Sequence, residues 1–128
     1  MTGASAADQP YRDGITANMV KLGVPAATIT AYLASRPALS SVSNPLQEII
    51  TEKYIANFLK VEPWNDWRRT GFPVVPIVPA AVIPTIPQRI RAANSELSSN
   101  ATQVAASGIP TGEDGMTFKL WWAGGANK

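Results

Sequence analysis

Apolar positions in the first half of the chain recur at helical spacing. Tyr11, Ile15, Met19 and Leu22 stand at i, i+4, i+8 and i+11, one face of a helix. Gly23 sits where a C-terminal cap belongs, and Pro25 follows. The pattern predicts a first helix over about 10–22. A second follows over about 25–35, with Ile29, Tyr32 and Leu33 as its apolar side. Pro37 stops the second helix, and Arg36 suits its negative end. Two helices joined by Gly-Val-Pro make a helical hairpin. The small residues that open the chain suggest a disordered lead-in over 1–9.

The third helix carries the strongest local signals. Asn44 is a good N-cap and Pro45 falls at the first helical position. Gln47, three residues beyond the cap, completes a variant of the capping box. Leu46, Ile49, Ile50, Tyr54, Phe58 and Leu59 form the apolar face of a helix over about 45–60. Glu48, Glu52, Lys53 and Lys60 lie on or near its other side. Glu62-Pro63 restarts the chain as a fourth helix over about 63–70, which ends near Gly71.

The pattern then changes. No charge occurs from Gly71 to Gln88, and Pro73, Pro76, Pro79, Pro84 and Pro87 punctuate the run. An uncharged stretch of this length invites a membrane reading. The prolines argue against it, since each one inside a helix costs ~3 kcal/mol. An extended strap over about 72–87, lying on a protein surface, fits better. Beyond it, Asn94 to Leu97 suits a helical turn. Asn100 can cap a short helix from Ala101 to Ala106, ended by Gly108 and Pro110. Gly112 to Gly115 reads as a turn. Met116, Phe118, Leu120 and Trp122 then alternate with Thr117, Lys119 and Trp121, a strand-like period of two. Residues 124–128 read as a tail. The fold class is mainly α, with long proline-rich irregular segments and little or no β-sheet.

Composition narrows the chemistry. The 128 residues contain no Cys and no His. That removes disulfides, thiolate and imidazole metal sites, and the Ser-His-Asp and Cys-His triads. Eleven basic against nine acidic residues leave a net charge of +2. The basic residues are scattered apart from Arg68-Arg69 and Arg89/Arg91, so no nucleic-acid footprint emerges. The first residues lack the basic and apolar regions of a signal peptide, and no Cys is present to carry a lipid.

Four features could carry function. Glu48/Glu52 and Glu62/Asp66 are carboxylate pairs four residues apart, a spacing that hydrolases use only when the pair flanks a substrate. On an exposed helix face such pairs simply meet water. Trp64, Trp67, Arg68 and Arg69 are the densest constellation. Trp64 and Arg68 can stack, and Asp66 and Arg69 can pair. Exposed indoles could stack on sugar rings, whereas aromatics at helical spacing more often anchor a core. The strap fits P-x-x-P three times, but its apolar filling favours burial over ligand display. Asn100-Ala-Thr102 fits a glycosylation sequon, which matters only in a eukaryotic secreted protein.

Taken in order, these residues resemble the C-terminal region of the SusD/RagB family. The helix from Leu46 to Leu59 is similar to the family's "I-x-x-E/Q-K-(Y/W)-I-A-x-F". Trp64 to Pro73 resembles "W-x-(D/E)-W-R-R-T-G-(Y/F)-P". Ile86-Pro87-Gln88-Arg89, Ser95-Glu96 and Leu120-Trp121-Trp122 resemble later family pieces, in the same order. Tyr11 to Ile15 suits the helix before them. Gln88 and the run Arg91-Ala92-Ala93 depart from the family pattern, as does Ala123-Gly124 after the tryptophan pair. The resemblance covers about residues 10–123.

The resemblance implies a tetratricopeptide-like array of helix pairs, of which this chain would be the C-terminal part. It implies a surface-exposed lipoprotein, peripheral to the bacterial outer membrane. Such a protein binds glycans or other nutrients and delivers them to a SusC-type TonB-dependent transporter, without catalysis or cofactor. It implies the remaining N-terminal part of such a protein as a further partner. Trp64, Trp67, Arg68, Arg69, Thr70, Gly71, Trp121 and Trp122 would be structural members of the family motif. Trp64 and Trp67 remain candidates for glycan contact. The rival readings are a protein-interaction scaffold and a glycoside hydrolase fragment.

Overall fold

The computed structural model describes residues 3–123. They fall into two compact units that part between Val74 and Val75. The first unit contains α1 (Ala4–Lys21), α2 (Ala26–Ser35), a 3₁₀ turn (Leu39–Ser41), α3 (Pro45–Ala56) and α4 (Glu62–Thr70). The second contains α5 (Asn94–Ser99), α6 (Ala101–Ala106), α7 (Asp114–Thr117) and a 3₁₀ turn (Trp121–Ala123). The fold is mainly α, and no strand occurs among the described residues. The expected tail, 124–128, lies outside them.

The lead-in is a correction. Residues 4–9 are helical, and α1 starts six positions before the predicted residue 10. Pro10 lies inside the helix, a costly place for a residue without an N–H. Side chains on both sides of it offset that cost. Ala4 and Ala7 pack against the core formed by Tyr11, Ile15 and Leu39. Asp8 accepts a hydrogen bond from the Leu39 N–H at 2.8 Å and another from Arg12 Nε at 2.7 Å. The Leu39 amide and the Arg12 guanidinium hold the Asp8 carboxyl below the usual carboxylate value.

Arg12 ties α1 to the end of α2. Its Nη1 donates to the Leu33 carbonyl at 2.9 Å and its Nη2 to the Arg36 carbonyl at 3.2 Å. Carbonyls at a helix C-terminus lack partners of their own, and a cation there also meets the negative end of the dipole. The sequence assigned that role to Arg36, but the helix that supplies the cation is α1. Arg36 turns instead to α3. It pairs with Glu52 at 3.2 Å and lies over the Tyr32 ring at 4.9 Å. The Tyr32 hydroxyl donates to both Glu52 oxygens, at 3.0 and 2.9 Å. Burial and the bond to Glu52 push the Tyr32 hydroxyl's pKa up.

Glu52 is therefore buried and bonded, not a member of a solvated face. A charge removed from water must be paired, and its partners come from α2 and the residue that closes it. The apolar face of α3 is correspondingly narrower than its pattern. Ile49 and Ile50 turn inward, while Leu46, Tyr54, Phe58 and Leu59 are exposed.

The start of α3 follows its sequence signals. The Gln47 N–H donates to Asn44 Oδ1 at 3.2 Å, and Pro45 occupies the first turn. Its end does not reach residue 60. Asn57 closes the helix by donating from Nδ2 to the Lys53 carbonyl, and Leu59 takes φ 63°. That left-handed conformation costs an L-residue with a Cβ about 1–2 kcal/mol. Leu59 is also 89 % exposed, so its side chain gains little in return. Leu59→Gly is expected to stabilise the unit by about 0.5–1 kcal/mol after the added unfolded-state entropy. A urea melt in which the variant unfolds earlier than the wild type would contradict this.

Candidate functional site

The conspicuous tryptophan–arginine run forms α4. Pro63 occupies its first turn and Gly71, at φ 76°, closes it in the left-handed cap geometry. Thr70 Oγ1 donates back to the Asp66 carbonyl at 2.7 Å and accepts from the Phe72 N–H at 3.1 Å. Thr-Gly-Phe is thus a hydrogen-bonded stop that hands the chain to the strap.

Trp64 and Trp67 are half-buried. The Arg68 guanidinium lies 4.0 Å from the centre of the Trp64 ring, so one indole face is already covered. Arg68 also bonds to Asn65 Oδ1 at 2.6 Å. The fully buried residue of the helix is Asp66, at 6 % exposure, which makes it the group the motif is built around. Lys53 Nζ reaches one of its oxygens at 2.8 Å and Arg69 Nη2 the other at 2.9 Å. Burial opposes ionisation, but the bonds and charges of Lys53 and Arg69 win and hold the carboxyl below its usual value. Asp66 so clamps α4 to α3. Reading it as half of a solvated carboxylate pair missed this. The Asp66–Arg69 spacing was the visible signal, while Lys53 comes from the preceding helix.

The second unit differs in kind. Most of the strap's apolar side chains are exposed, including Val78 and Val82, while Ile83 is buried. The alternation over 116–122 is not a strand. Asp114–Thr117 is helical, and Gly115 is buried so close to the Pro110 carbonyl that a Cβ would collide with its oxygen. The Met116 carbonyl accepts from the Gln88 N–H at 2.7 Å, fastening the end of the strap. Trp121 and Trp122 form the closing 3₁₀ turn and are both exposed.

Clefts occur in both units. Those in the first are mainly apolar, about 260 and 240 Å³, lined by α1 and α3. Tyr11 opens on one of them, and its hydroxyl pKa is pushed up to about 12 by burial and by Glu52 and Glu48. The hydroxyl therefore stays neutral at ordinary pH. The cleft of the second unit, about 250 Å³, is polar on two sides, with Arg89 and Arg91 on one and Asn100, Gln103 and Ser107 on another. Among the described residues, no three metal-ligating side chains converge. No helix there is long and apolar enough to cross a membrane.

Comparison with known proteins decides what this motif belongs to. The family model described as SusD-like, SusD and RagB outer membrane lipoprotein, matches residues 38–123. The chain belongs to the SusD/RagB family. No curated protein and no solved structure matched it. The match begins at the 3₁₀ turn, runs through α3, α4 and the strap, and closes on the tryptophan pair. SusD/RagB membership implies an outer-membrane lipoprotein that binds glycans. It also gives the clamp a context. The W-x-x-W-R-R-T-G run of this SusD/RagB chain makes a capped helix, held by a buried aspartate between two cations.

Proposed function

We propose that the chain is the C-terminal part of a non-catalytic glycan-capture lipoprotein, peripheral to the outer membrane, which hands its ligand to a TonB-dependent transporter. The family match over residues 38–123 carries this reading. The state of the carboxylates supports the absence of catalysis. Glu52 and Asp66 are each committed to structural cations, so neither predicted pair keeps two free carboxylates for acid–base work. Trp64, Trp67, Arg68, Arg69, Thr70 and Gly71 serve as the structural anchor, and Trp121 and Trp122 as a contact to the rest of the protein. The exposed apolar side chains of Phe58, Val74 and Val82 support a larger assembly that covers them.

The test couples two readouts on the full chain. A glycan array should give retention without shortened products. A tagged chain should co-purify a TonB-dependent transporter from solubilised outer membrane of the producing cell. Release of cleaved sugars would make the protein an enzyme, and protein capture without any glycan affinity would make it a scaffold.

A further inference from the structure

The cleft of the second unit is built differently from the rest of the molecule. One wall is the segment that follows the strap, where Arg89 and Arg91 both face the cleft while Ile90 between them is exposed. The other wall is α6 and its flanks. Asn100, Gln103 and Ser107 stand at i, i+3 and i+7, one polar stripe, with Val104 inside it. A polar stripe of that spacing normally meets solvent, and here it lines an opening.

The hydrogen-bond inventory of the cleft is incomplete in one direction. Arg89 Nη1 is buried and has no acceptor. Arg91 is exposed and lines the cleft beside it. A buried guanidinium donor left without an acceptor is expensive, and the planar fork matches a carboxylate. Against these two cations stands one carboxylate, Glu96, which accepts from Asn100 Nδ2. The cleft therefore favours an anion, and its opposite wall offers both donors and acceptors. Ile109 and Pro110 add an apolar surface. Its volume, about 250 Å³, lies below the usual range for drug-sized ligands and suits one ring rather than several.

We propose that this cleft holds a single uronate residue of an acidic polysaccharide, with Arg89 and Arg91 clamping its carboxylate. This rests on the glycan-capture reading and names the ligand class for it. Ring hydroxyls, which both donate and accept, meet Glu96, Asn100 and Gln103. The C–H face of the ring meets Ile109 and Pro110. A peptide carboxylate would meet the arginines but leave the polar stripe without matching hydroxyls.

The test is calorimetric titration of the full chain with an oligogalacturonate, the matching neutral galacto-oligosaccharide, a sulfated one and a peptide with a free C-terminus. The oligogalacturonate should bind, and the other three should bind at least about tenfold more weakly, the scale of one charge-assisted contact. Arg89→Met and Arg91→Met should each weaken uronate binding by about tenfold or more, and Arg89→Lys by less than Arg89→Met, because charge remains without the fork. Arg91 is exposed, so Arg91→Met keeps the test decisive if Arg89→Met fails to fold. Equal binding of the neutral sugar, preference for the sulfated sugar or the peptide, or uronate binding indifferent to both arginines would overturn the clamp while leaving the wider reading to the glycan array. Failure of every glycan on that array would remove the wider reading as well.

Discussion

Leu39→Ala should lower the stability of the first unit by about 3 kcal/mol, read as an earlier midpoint in a urea melt followed by tryptophan fluorescence in a chain whose Trp121 and Trp122 are replaced by Phe. Among the described residues, Leu39 is the one core side chain with no exposed surface, and it packs with Tyr11 and Ile15. Three elements meet there, because α1 lies against both the 3₁₀ turn and α3. Truncation removes the burial energy of the side chain and leaves a cavity that the surrounding helices can only partly close. The backbone amide of Leu39 still donates to Asp8, so the turn stays attached and the loss is one of packing. By contrast, Ser40→Ala, on the exposed side of the same turn, should stay within about 0.5 kcal/mol of wild type. Equal effects of the two would show that the core lies elsewhere.

Asp66→Ala is expected to cost about 2–3 kcal/mol at neutral pH, since removing one member of a buried ion pair strands its partners. The figure falls below the ~3–5 kcal/mol typical of a broken buried pair for a structural reason. The side chains of Lys53 and Arg69 are 46 % and 60 % exposed and can return to water. Removing either cation should cost less, under about 1 kcal/mol, because the other remains on the carboxylate. The pH dependence has a definite sign. The Asp66 carboxyl titrates below its unfolded value of 3.8. Its stabilisation is therefore complete above that pH and disappears as pH falls through the lower, folded value. The gap between wild type and variant should be full at neutral pH and close only in acid. A gap that is constant down to pH 2 would show that the loss is packing rather than charge.

Local signals read well from the sequence where one residue type has one use. Asn44, Pro45, Pro63 and Gly71 stand at helix ends as predicted, because caps and first turns depend on neighbours three or four positions away. The Trp64–Arg68 stack and the Asp66–Arg69 pair were legible for the same reason. Contacts between elements were not. Glu52 and Asp66 look like surface carboxylates in one dimension, and only Tyr32, Arg36 and Lys53, on or beside other helices, make them interior. Arg12 has no pattern that announces an acceptor twenty-one residues away. The alternation over 116–122 misled because a strand needs a partner, and the Met116 carbonyl is met by a single turn of strap. At the cleft, the arginines were visible as a pair, but the α6 stripe facing them was not.

The side-chain ties of the first unit share a property that matters while the polypeptide is being made. Arg12 reaches forward 21 residues to Leu33, Asp8 31 residues to Leu39, and Tyr32 20 residues to Glu52. Each closes a short loop, and closure of short loops carries the smallest entropic penalty and the fastest rates. No tie has to wait for the strap or for the tryptophan pair. The unit can assemble in sequence order, each helix locking onto the one already formed.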